Sequence, residues 1–116
     1  MTQWIRAHSA EDGIWSYFEL DDEGWALRQV DLKGAARLWV TAAALTEVLE
    51  LRDSAGPSAM SDYERKYGVL AEGPLAGWEE LAGAIEVTED TFEGLWVLAR
   101  QHLGSADSSV EQEESP

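Results

Sequence analysis

Cysteine is absent from this chain, and so are asparagine and any long apolar run. Without thiols there is no disulfide framework, no thiolate nucleophile and no Cys-ligated zinc or iron–sulfur centre. No segment approaches the about 18 consecutive apolar residues of a membrane-spanning helix. The richest stretch, 38–51, is broken by Thr41, Thr46, Glu47 and Glu50. The opening Met1-Thr2-Gln3-Trp4-Ile5-Arg6 lacks the basic and apolar regions of a secretory leader. A cytoplasmic protein without membrane contact is therefore expected. Bases are scarce as well: two lysines and six arginines stand against 23 acids, a net charge of −15. Such a field repels phosphate backbones, and direct nucleic-acid binding is not expected.

What is present suffices for one core. The chain has 116 residues, 45% of them hydrophobic, which is enough for a single domain and too little for two. Residues 1–104 read as that domain. The first forty residues alternate with period two. Ile14, Ser16, Phe18 and Leu20 share one face, and Trp15, Tyr17 and Glu19 the other. A second run carries Trp25, Leu27 and Gln29 against Ala26, Arg28, Val30 and Leu32. Asp21-Asp22-Glu23-Gly24 between them reads as a four-residue hairpin loop. The expected register sets Leu20 against Trp25 and Phe18 against Leu27, with Glu19 diagonal to Arg28 on the opposite face. Residues 2–8 and 37–41 are further strand candidates.

Helical spacing begins after Thr41. Leu45, Val48, Leu49 and Arg52 recur at i, i+3, i+4 and i+7, and the run stops at Asp53-Ser54-Ala55-Gly56-Pro57. Residues 57–73 contain enough breakers to predict a mobile loop with one helical turn near 61–67. Residues 74–81 predict a short helix opened by Pro74. The last helix is the best marked. Thr88 is its N-cap, Phe92, Leu95, Trp96, Ala99 and Leu103 form its apolar stripe, and Arg100, His102 and Gly104 mark its end. Residues 105–116, with four acids and no base, read as a disordered acidic tail. The fold class expected is α+β: an N-terminal antiparallel sheet of three to four strands with two to three helices packed on it.

The hairpin pattern Tyr17, Glu19-Leu20-Asp21-Asp22, Trp25, Arg28, Val30 resembles the opening of a family of short acidic bacterial proteins of unknown function. Pro74, Glu79-Glu80-Leu81, Val87-Thr88, Phe92 and Leu95-Trp96 are similar to that family's close. The two patterns cover roughly half the chain, and the middle, 35–71, departs from the family. The resemblance implies an α+β domain and carries no established activity. Some similar proteins look like toxin-immunity proteins.

Read for chemistry, the candidates are few. Glu19-x-Asp21-x-Glu23-Gly24 opens like a calcium loop, but the twelfth position, which should be a bidentate acid, is Val30. A solvated hairpin turn is the better reading. His8 and His102 have no partner at metal-ligand spacing. No cofactor motif is present and no nucleophile is set beside a base, so no enzyme is expected. Of the six tryptophans (Trp4, Trp15, Trp25, Trp39, Trp78, Trp96), Trp25 and Trp96 fall on expected core faces. Trp15 and Tyr17 fall on the opposite face beside Glu19 and Arg28. That face is either covered by helices or an exposed surface of the composition that interface hot spots favour. Residues 72–116 hold eleven acids against Arg100 alone, Glu79, Glu80, Glu89 and Glu93 among them. Such a concentration serves either ordinary solubility or electrostatic steering toward a basic partner. The leading expectation is an acidic binding protein, monomer or homodimer, that caps a basic toxin or nuclease domain through these eight residues. A regulatory or scaffold module and a DNA mimic are the alternatives.

Overall fold

The computed structural model describes residues 2–34, 38–54, 56–71, 75, 77–81 and 83–113. Five antiparallel strands are followed or interrupted by three helices: β1 (Gln3–Ser9), β2 (Ile14–Leu20), β3 (Ala26–Lys33), β4 (Leu38–Ala44), α1 (Leu45–Ser54), α2 (Pro57–Tyr67), β5 (Ile85–Glu86) and α3 (Glu89–Glu113). The α+β architecture expected from the alternating and helical periods is what forms. Sheet order is β4-β3-β2-β1-β5, so the first four strands make a meander and the two-residue β5 adds to the outer edge of β1.

The hairpin departs from the expected register. The Asp21 carboxylate accepts the backbone N–H groups of Glu23 and Trp25, both at 2.9 Å, and Gly24 takes φ of 88°. An aspartate closing its own turn in this way fixes the exit of the chain. A bulge then leaves Leu27 unpaired. Leu20 faces Ala26, Glu19 directly faces Arg28, and Phe18 faces Gln29 rather than Leu27. One extra residue moves every side chain of β3 relative to the loop. Ala26 takes the core position expected of Trp25, which is 41% exposed.

Both faces of the sheet are covered. Ile5, Phe18, Leu20, Ala26 and Ala43 point to one side and pack with Tyr63 and Leu70; Leu45, Val48, Leu51 and Trp78 close over them. Val30 and Ala42 point to the other side and meet Phe92 and Ala99 of α3, with Tyr17, Trp39, Leu95 and Trp96 around them. α1 and α2 therefore lie on one face of the sheet and α3 on the other.

Four elements differ from the sequence expectation. The segment read as a mobile loop is an eleven-residue helix, α2, with Pro57 in its first turn and Tyr63 buried. Proline tolerates a first-turn position because its missing N–H has no partner there. The helix expected over 74–81 is a single 3-10 turn at Trp78–Glu80; Pro74 lies outside the described residues. β4 runs on to Ala44 and passes into α1 without a loop. Finally, α3 does not stop at Gly104. Its backbone continues to Glu113, through a stretch expected to be disordered, because no proline interrupts it before Pro116. Residues 114–116 lie outside the described ones. The Thr88 cap stands as expected: its Oγ1 accepts the Thr91 N–H at 3.1 Å.

Candidate functional site

Of the four hairpin residues expected to offer a binding face, Tyr17, Glu19 and Arg28 lie between the sheet and α3. Arg28 donates to Glu19 in two parallel bonds, Nε to Oε1 at 2.7 Å and Nη2 to Oε2 at 2.8 Å. Trp4 Nε1 adds a third bond to Glu19 at 3.0 Å. From α3, Glu93 accepts from the same guanidinium, with Nη1 to Oε1 at 3.1 Å. The Arg28 plane lies 5.0 Å from the Phe92 ring and 5.1 Å from that of Trp96. Tyr17 packs with Val30 under the same helix. Trp15 sits at the other end of β2, stacked on His8 at 4.2 Å with the Arg6 guanidinium 4.6 Å from its ring. Of the two explanations open at the sequence level, covering by a helix holds for Tyr17 and Arg28, while Trp15 packs on side chains of β1.

Hydrogen bonding to Arg28 holds the Glu19 carboxyl below its ordinary range, against the upward push of burial, with the Arg28 charge and the Trp4 bond adding to the effect. The arginine is correspondingly harder to deprotonate. This group is a latch in which Glu19 stays ionised and Arg28 charged near neutrality.

A second latch closes the edge of β4. Arg100 Nε donates to the Ala42 carbonyl at 2.8 Å, Nη1 to Glu47 Oε2 at 3.0 Å, and Nη2 to the Tyr63 hydroxyl at 3.1 Å. Tyr63 donates to Glu47 Oε1 at 2.6 Å and accepts the Ala44 N–H at 2.9 Å. Two outward backbone groups of an edge strand are thus satisfied by side chains, which blocks pairing with another strand at that point. Burial, then the Glu47 bond, pushes the Tyr63 phenol up to about 12. Burial raises the Glu47 carboxyl, but the bonds from Arg100 and Tyr63 outweigh it and the net shift is downward. Both arginines lie against the Trp96 ring, Arg100 at 4.5 Å and Arg28 at 5.1 Å.

The acidic set is dispersed. Glu79 and Glu80 are exposed on the 3-10 turn, on the side of α1 and α2; Glu89 is exposed at the start of α3; and Glu93 belongs to the latch. Among the described residues no cluster of three or more His, Asp or Glu is arranged to hold a metal, and no helix is long and apolar enough to cross a membrane.

An open feature among the described residues is a trough beside α1 that the sequence reading did not single out. Trp25, Leu45, Val48, Leu49, Val69 and Leu70 line a concavity of about 580 Å³, with Arg52 and Glu64 on its rim. Trp25, Leu49 and Val69 are 41%, 40% and 61% exposed, an apolar surface left in water. Its far wall is pinned. Gln29 accepts the Ala71 N–H at 2.7 Å and donates to Asp31 at 2.9 Å, while Gly68 packs directly on Thr41. The signal in the sequence was an apolar stripe on α1 too wide for one buried face: Leu45, Val48 and Leu51 pack inward, leaving Leu49 over.

The chain matches no protein-family model, no curated protein and no solved structure. The resemblance to the short acidic bacterial family rests on the residue pattern alone.

Proposed function

We propose that this chain is a non-enzymatic, acidic protein-binding module that caps a basic partner protein, in the manner of an immunity protein or antitoxin. The observation that carries this reading is the trough: apolar side chains exposed around a pinned concavity, on a chain of net charge −15. Exposed Trp, Leu and Val around a concavity are the material of interface anchors, and surrounding acids give long-range attraction to a basic surface. The titratable groups with displaced pKa values are hydrogen-bonded into the two latches, where they hold the fold. Residence time is assigned to Trp25 and its neighbours, since Trp15 and Tyr17 are engaged within the fold. Encounter rate is assigned to the exposed acids, Glu79, Glu80 and Glu89 among them.

The test is capture of partners from the native cell lysate followed by stopped-flow kinetics. Basic proteins should be retained. Replacing Glu79, Glu80 and Glu89 by Gln should slow association and flatten its salt dependence, because salt screens such attraction beyond about 8 Å. Trp25→Ala should mainly speed dissociation. Retention of only neutral or acidic proteins, with rates indifferent to salt, would end this reading.

A further inference from the structure

We infer that the trough beside α1 seats a basic amphipathic α-helix of the partner, an inference that rests on the capping reading above. A second concavity of about 390 Å³, reaching Pro57 and Met60, shares Val48, Arg52 and Glu64 with the first. The two adjoin at these residues along α1. From Leu45 to Arg52 that helix advances about 10 Å at 1.5 Å per residue. This is the span of three apolar anchors at i, i+4 and i+7 on an incoming helix.

The occupant's conformation follows from hydrogen bonding. Through its middle the α1 wall offers side chains only, since the backbone donors and acceptors there are paired within the helix. An extended strand laid there would bury peptide groups against Leu45, Val48 and Leu49, whereas a helix arrives with its own satisfied. Its charge follows from the surroundings. Glu64 and Arg52 line both concavities, Asp21, Asp22 and Glu23 precede Trp25 in the chain, and the molecule as a whole carries a net charge of −15. Lysines and arginines on the flanks of the incoming helix meet that field. A second copy of this chain is the poorer occupant: its exposed apolar Val97 and Leu98 would arrive on another body of charge −15. The wall is already fixed by the Gln29–Ala71 bond and the Gly68–Thr41 contact, so little ordering is required on binding.

The probe is a synthetic helix-forming peptide of roughly 18 residues, with leucines at i, i+4 and i+7 and lysines on its flanks. One control permutes the same composition so that the leucines share no face. A second keeps the leucines and replaces lysine by glutamate. Binding to the full chain is read by fluorescence anisotropy and by NMR shifts of the tryptophan indole N–H groups. The amphipathic basic peptide should bind at least about tenfold more tightly than either control and shift Trp25 but not Trp96. Val69→Asp and Leu49→Asp, at exposed positions, should each weaken it about tenfold with the melting curve unchanged. Equal binding of the permuted peptide would reduce the interaction to charge alone and overturn the inference. So would full-strength binding of a captured basic partner to Val69→Asp, and in that case the capping reading survives. Failure to capture any basic partner removes the capping reading itself.

Discussion

The two faces of the sheet are covered by different means. On the α3 side, an aromatic and charged layer is fastened by ion pairs: Phe92 is fully buried, and Trp96 packs against Arg28 and Arg100, each tied to a carboxylate. On the α1–α2 side, the contacts are chiefly apolar, and the cover is incomplete beside Trp25, Leu49 and Val69. The contrast separates composition from role. Aromatic residues beside an arginine have the makings of an interface, yet here they fasten a helix to a sheet. An ordinary-looking aliphatic stripe supplies the open surface. Paired charges consume the hydrogen-bonding capacity that recognition would use, and a wide stripe leaves apolar area over.

The sharpest break of the closed layer is Phe92→Ala. The side chain is 0% exposed, and its loss should cost about 3–5 kcal/mol in urea denaturation. Arg28→Ala should follow at about 2–3 kcal/mol, less than for a fully buried pair because the side chain is 19% exposed. It strands Glu19, which is 13% exposed, with Trp4 alone. On the open side, Gly68→Ala should cost about 1–3 kcal/mol. An added Cβ would lie 2.5 Å from Thr41 Oγ1, at a φ of 83°. The latch should also be visible in acid. A carboxyl whose folded pKa is depressed contributes stability above its unfolded value, near 4.3, and loses it as pH falls through the folded value. The stability difference between the native chain and Glu19→Gln should therefore be constant above about pH 5 and shrink below it. A difference independent of pH down to unfolding would show that Glu19 is not held by Arg28. The smallest effect is expected at the trough rim, where Val69→Asp should change stability by less than about 0.5 kcal/mol.

Much of this contrast was legible in the sequence, and its inversion was not. Period-two runs and a helix with a threonine cap and an apolar stripe fix the sheet, α3 and the fold class. The hairpin register was missed because a bulge is a single inserted residue with no compositional mark; Leu27 looks like any strand residue. α2 was missed because Gly56, Pro57 and Gly68 read as breakers, while Pro57 opens the helix and Gly68 ends it. Trp25 left its expected core position for the same reason as the register. Moving Ala26 inward turned Trp25 out, and α3 covered the face of Tyr17 and Arg28. The Arg100–Glu47–Tyr63 latch joins three elements far apart in the chain, and no local spacing announces it.

Hydrogen–deuterium exchange of the full chain, alone and with the captured basic partner, tests most directly the claim that the open face binds and the latched face holds the fold. Protection should rise in 45–52 and 64–71 on binding, and α3 from 89 to 103 should exchange as it does in the free protein. Protection gained over 89–103 with 45–52 unchanged would place the partner on the latched side and contradict the account.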